Sequence, residues 1–168
     1  SYKGINIHNR QHKIISAIAL DNQNLPDTFR KAKYQKMSAS AYGFLRGTNH
    51  LFWEDFYNDW RLSLFGGNAD TQTWLQGDAH LYNFGAFANY YGEVIYGFDD
   101  FDDGIVGDYQ YDLWRLAISL VLDCRNHDNF KSKDIRKAVK KLGKAYLKTI
   151  LSDRHNPATK EIHFTQDN

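Results

Sequence analysis

One cysteine in 168 residues, Cys124, has nothing to pair with inside the chain, so no intrachain disulfide can staple the fold. Its place among apolar residues at helical spacing predicts a packed thiol rather than a nucleophile. Long hydrophobic runs are missing as well. None approaches the length of a membrane span, and Ser1-Tyr2-Lys3-Gly4 lacks the apolar core of a signal peptide. These absences together predict a cytoplasmic protein. Charge of one sign is lacking overall: the formal net charge of +1 predicts no general attraction to nucleic acid or membrane. Internal repeats and low-complexity linkers are absent too. What is present suffices for a core, because 42% hydrophobic and 15% aromatic residues favour a folded domain over disorder.

A local absence is more telling. Between Arg61 and Arg115 there is no Lys or Arg, yet the interval holds Asp70, Asp78, Glu93, Asp99, Asp100, Asp102, Asp103, Asp108 and Asp112. Carboxylates this crowded repel one another, and folding them beside Phe84, Phe87, Val94, Ile95 and Phe98 would strip them of solvent. A bound divalent cation is the simplest compensation. Oxygen donors, with no nearby Cys and only His80 in reach, favour Mg²⁺, Mn²⁺ or Ca²⁺ over Zn²⁺.

The expected architecture is α+β and mainly helical, with a small β-hairpin. A helical N-terminal part covers 1–60, and a helix starts at Leu25-Pro26-Asp27. Ser38 or Ser40 caps a second helix, which carries Ala41, Phe44, Leu45, Phe52 and Phe56 and is interrupted by Gly47. Residues 58–72 read as an exposed connection. A strand over Thr73-Trp74-Leu75 leads into the Gly77-Asp78 turn, and strands over 84–90 and 93–98 form a hairpin across Tyr91-Gly92. The C-terminal helices cover 109–152. One has an apolar stripe of Leu113, Leu116, Ala117, Leu120, Val121 and Cys124; the other buries Ile135, Val139, Leu142, Tyr146 and Ile150, and its lysine-rich faces read as solvated, with an anion or partner site as the alternative. Patterning fades after Asp153. The whole of 1–168 reads as a single domain or a domain fragment, with its chemistry concentrated in 73–112.

That chemistry rests on order and spacing. Asp78 is followed five positions later by Asn83 and, after the hairpin, by Phe98-Asp99-Asp100-Phe101-Asp102-Asp103-Gly104. This is the order in which kinase-like phosphotransferases present a base and two metal ligands. Asp78 fits the base, while Asn83 and Asp100 fit the ligands, with Asp99 and Asp102 as rivals to Asp100. The hairpin would return the acidic run to the neighbourhood of Asp78. A phosphohydrolase built on Asp100-Phe101-Asp102 is a rival reading, weakened because no Thr or Val follows the pair. A calcium loop fits less well, since Gly104 stands fifth from Asp100 where an EF-hand needs it sixth. The non-enzymatic alternative is an inactive kinase-like binding module.

The string Asp100-Phe101-Asp102, Gly107-Asp108, Asp112-Leu113 resembles the progression in aminoglycoside and choline kinases. That resemblance implies that Asp112 steadies the catalytic loop, and that His80, matching the second His of their loop, supports it or meets substrate. Gln76 departs from the His that many of them carry before Gly-Asp. Four ordered motifs resemble more closely the bacterial family called domain of unknown function 2252: 37–47, 77–85, 99–102 and 112–120. The resemblance implies the catalytic-lobe-like part of a kinase-like fold, ATP and Mg²⁺ or Mn²⁺ as cofactors, and an acceptor of unknown identity. It also implies a glycine-rich loop and an ATP-binding Lys downstream, so the chain is expected to be the first part of a longer protein whose remaining C-terminal part is its partner. Alone, it is expected to be inactive. Arg46, within Phe44-Leu45-Arg46-Gly47, is a candidate phosphate contact.

Overall fold

A computed structural model describes residues 7–57, 59–127 and 129–153. The architecture is α+β and mainly helical. The chain divides into two compact units, joined in sequence between Trp60 and Arg61.

The first unit is helical. Its elements are α1 (Ile7–Asp21), α2 (Asp27–Ala39), α3 (Ala41–Gly47) and α4 (Asn49–Tyr57). Pro26, at φ −54°, pre-sets the backbone for α2, and Asp27 and Lys36 sit at the ends of the helix that suit its dipole. Ser40, in extended conformation, ends α2 and caps α3, its Oγ accepting the Gly43 N–H at 2.9 Å. Ser38 instead donates to the Gln35 carbonyl at 3.0 Å, so Ser40 is the cap of the two candidates. The single helix expected after it is in fact two, because Thr48 leaves helical geometry with φ −131°. Met37, Tyr42, Leu51 and Phe52 form the buried core of this unit, and Phe52 stacks on Phe56 at 4.4 Å. Arg10 of α1 meets both carboxylate oxygens of Asp55 in α4, at 2.6 and 2.5 Å.

The second unit holds the sheets. In order come α5 (Arg61–Leu64), a 3-10 turn (Ala69–Thr71), β1 (Gln72–Leu75), a second 3-10 turn (Leu81–Asn83), β2 (Phe84–Ala88), β3 (Val94–Phe98), β4 (Ile105–Asp108), α6 (Gln110–Arg125) and α7 (Ser132–Asp153). Thus the stretch expected to be an exposed connection contains two short helical elements. Asn68 organises the first 3-10 turn: its Oδ1 accepts the Asp70 N–H at 2.7 Å, and its own N–H reaches Thr71 Oγ1 at 2.9 Å.

The expected hairpin forms, with β2 antiparallel to β3 from Phe84↔Phe98 to Ala88↔Val94. Asn89 Oδ1 shapes its tip by accepting the Tyr91 and Glu93 N–H groups, each at 3.0 Å. Strand β4 was not anticipated. It pairs antiparallel with β1 from Gln72↔Asp108 to Leu75↔Ile105, across the whole intervening hairpin.

Helix α6 also departs from the expected pattern. Cys124 is buried as its spacing predicts, but Arg115 and Ser119 are more enclosed still, both at 0% exposure. The rest of the apolar stripe is half-buried, and Leu113, Leu116 and Ala117 line cavities shared with Val139, Leu142 and Tyr146 of α7. Tyr146 stacks on Tyr109 at 6.0 Å. Ile150, expected in the buried stripe of α7, is exposed. Among the described residues no helix is long and apolar enough to cross a membrane. The unpatterned stretch beyond Asp153 lies outside the described residues.

Candidate functional site

The loop from Gln76 to Asn83 leaves the end of β1, where the β1–β4 register sets Leu75 opposite Ile105. That register brings the acidic 99–104 segment alongside the loop. Gln76 Nε2 donates to the Asp100 carbonyl at 2.5 Å, and Gln76 Oε1 accepts the Asp78 N–H at 2.8 Å. Gly77 turns the chain at φ +88°, and a Cβ there would stand 1.9 Å from the Asp103 carbonyl oxygen. Only glycine satisfies both the left-handed backbone and the close approach.

Helix α6 grips this loop along one face. Asp112, in its first turn, accepts the Gln76 N–H at 2.7 Å through Oδ2 and the Gly77 N–H at 3.0 Å through Oδ1. One turn on, Arg115 directs Nε to Asp78 Oδ1 at 2.5 Å, and its Nη2 meets the same oxygen. A further turn brings Ser119, whose Oγ accepts the Leu81 N–H at 3.2 Å and donates to the Leu116 carbonyl at 2.8 Å. Asp123 then accepts the Tyr82 hydroxyl at 3.0 Å. Positions 112, 115, 119 and 123 follow three- and four-residue steps, so they share a face. Burial pushes the Asp112 carboxyl above its usual value, against the pull of the Gln76 and Gly77 N–H groups and of Arg115. The hydrogen bond to Asp123 is the main cause raising the Tyr82 hydroxyl.

Arg115, Ser119 and Asp123 carry this grip, yet apolar periodicity does not reveal them. One signal could have: Arg115 is the cation that closes the acidic interval, three residues after Asp112. Its position also corrects the expectation about charge. Asp78 is compensated by a buried guanidinium of its own chain, while Asp99, Asp100, Asp102 and Asp103 stay exposed to solvent.

His80 is buried at 1% exposure. Its Nδ1 accepts the Tyr82 N–H at 3.2 Å, so the neutral ring carries its proton on Nε2, which stands 3.5 Å from Asp78 Oδ2. The Asp78 carboxylate is therefore oriented on both sides, by Arg115 at Oδ1 and by His80 at Oδ2.

Asn83 is buried, and its Nδ2 donates to the Asp78 carbonyl at 2.9 Å, which leaves Oδ1 as its acceptor. The Asn83 carbonyl accepts the Asp99 N–H at 3.2 Å, so the base of the hairpin returns the acidic run to the loop. Asp78, His80, Asn83, Asp112 and the backbone of Asp99 and Asp100 are thus gathered in one place. Asp102 sits in an exposed turn and donates its N–H to Asp100 Oδ1 at 3.3 Å. Arg46 belongs to the first unit, exposed in the last turn of α3. No group of three or more His, Cys, Asp or Glu arranged to hold a metal occurs among the described residues. The donors at hand, one amide oxygen and solvent-facing carboxylates, suit a hard cation that keeps several waters or takes oxygens from a ligand.

The family model for an uncharacterized protein conserved in bacteria, DUF2252, matches residues 25–167. The chain belongs to this family. The match runs through the Asp78–Asn83 loop, the acidic segment and the α6 face of this DUF2252 member. No curated protein matches the chain, and no solved structure does.

Proposed function

We propose that the second unit carries the catalytic loop and metal site of an ATP-dependent, Mg²⁺- or Mn²⁺-dependent phosphotransferase of kinase-like type. The observation that supports it most is the double tie on the loop. The Asp112 carboxylate clamps the N–H groups of Gln76 and Gly77, and the Asn83 amide locks the Asp78 carbonyl. Phosphoryl transfer demands positioning above all, and these bonds hold a carboxylate and an amide oxygen in fixed relation. In this reading Asp78 orients the acceptor hydroxyl and takes its proton at Oδ2, with Arg115 fixing the carboxylate through Oδ1. Asn83 Oδ1 and the Asp100 carboxylate hold the cation, for which Asp99 is the alternative. A cation bound there neutralises charge on the transferring phosphate. The grip on ATP falls to groups other than this loop and its acidic segment.

A nucleotide-binding module without transfer is the second reading, favoured by the commitment of Asp78 Oδ1 to Arg115. Nucleotide binding and ATP turnover by the intact protein, with and without Mg²⁺, separate the two. Under the proposal Asn83→Ala and Asp100→Asn each weaken Mg²⁺-dependent nucleotide binding at least about tenfold, the scale on which removing even an outer-shell partner acts. Metal-independent binding unaffected by both variants would remove the shared-metal assignment. Binding with no turnover would select the module.

A further inference from the structure

A groove of about 610 Å³ opens where the C-terminal end of α6 passes the first turns of α7. Its floor is apolar, made by Val121, Ile135 and Val139. Its rim carries Arg125, Arg136 and Lys140, with the Ser132 hydroxyl at the first position of α7. On α7 these positions, 132, 135, 136, 139 and 140, form one face at helical spacing, so the cations flank the floor. Of the described carboxylates nearest in sequence, Asp134 Oδ2 accepts the Lys131 N–H at 3.3 Å, and Asp123 accepts the Tyr82 hydroxyl. Among the described residues no ion pair engages Arg125, Arg136 or Lys140.

Three cations around an apolar floor, at the positive end of a 22-residue helix, match one kind of ligand. An extended apolar face without charge would serve packing, and lysines on an open face would serve solvation. Here the two are combined in a concavity. We propose that this groove binds a phosphate monoester with an apolar body, the dianion meeting Arg125, Arg136 and Lys140 and the body lying on Val121, Ile135 and Val139. A dianion suits two guanidinium groups and an ammonium better than a carboxylate would, and the α7 N-terminus adds to the attraction. The inference is independent of the phosphotransferase reading, because none of these residues belongs to the Asp78 site.

The test is a titration of the intact protein with phenyl phosphate in EDTA, followed by backbone amide shifts, with inorganic phosphate as the comparison. EDTA removes the metal through which a phosphate would bind near Asn83. Saturable shifts confined to 121–140 are expected, with phenyl phosphate binding about tenfold more tightly than inorganic phosphate because its ring is removed from water. The pair Arg136→Gln and Lys140→Gln should weaken binding at least about tenfold. The pair Lys137→Gln and Lys144→Gln, of equal charge change outside the groove, should leave it unchanged. Vesicles containing phosphatidate identify the source. Recruitment that the Arg136/Lys140 pair abolishes assigns the phosphate to a lipid headgroup, and phenyl phosphate binding without recruitment assigns it to a soluble ester. Absence of both, or equal loss in the two variant pairs, overturns the site.

Discussion

With no exposed surface of its own, the Arg115 guanidinium depends on the Asp78 carboxylate that its Nε meets at 2.5 Å. Asp78→Asn preserves shape and one acceptor oxygen but removes the charge, so it is not structurally silent. Breaking a buried pair costs about 3–5 kcal/mol, and the retained hydrogen bond places this variant toward the lower end. Urea unfolding checks it, and wild-type stability would show that the pair does not sustain the fold. In the intact protein, under conditions where the variant is folded, phosphoryl transfer should fall roughly 10²–10⁴-fold, the scale of a lost general base. Asp112→Asn acts differently. Gln76 and Gly77 donate to different oxygens, and Asn replaces one of these with an NH2 group that cannot accept, so one N–H loses its partner at a cost of about 1–3 kcal/mol. If the second donor finds water instead, denaturant unfolding will show a smaller loss.

At the scale of elements, two glycines with similar dihedrals separate strain from crowding. Gly92 closes the β2–β3 hairpin at φ +78° with nothing near its missing Cβ, whereas Gly77 has φ +88° and the Asp103 carbonyl against it. Gly92→Ala should therefore show only the left-handed backbone cost, about 1–2 kcal/mol. Gly77→Ala should exceed it clearly, since either the loop or the 99–104 segment must move. Thermal melts of the two variants compare them directly, and equal losses would mean the Asp103 contact yields freely. The hairpin was legible because its strands, turn and pairing are contiguous in sequence. So were α2, α6 and α7, whose periodicity and start signals are local. Strand β4 was not, since Ile105 and Val106 are too few to announce a strand and their partner in β1 lies far back in the chain.

Across the molecule, titration of Asp112 links the site to stability. Burial raises its carboxyl above 3.8 in the fold, so the folded state holds that proton more tightly than the unfolded chain does. The contribution is fully present below the unfolded value and is lost as pH rises through the folded one. The difference in unfolding free energy between the wild type and Asp112→Asn should accordingly shrink as pH increases from about 3.8. Parallel denaturant series across that range measure it, with other carboxylates cancelling in the difference, and a gap that widens with pH would reverse the assignment. By itself the sequence determined the mainly helical α+β class, the hairpin, and the order of Asp78, Asn83 and the acidic run, because spacing and turn chemistry act over a few residues. Only the tertiary structure decided which charge neutralises Asp78 and which face of α6 is buried. A polar face can be enclosed when its charged and polar side chains meet partners from a distant segment, and Arg115, Ser119 and Asp123 meet theirs in a loop some forty positions earlier. Periodicity registers apolar burial alone, so that satisfaction becomes visible only once the chain has folded.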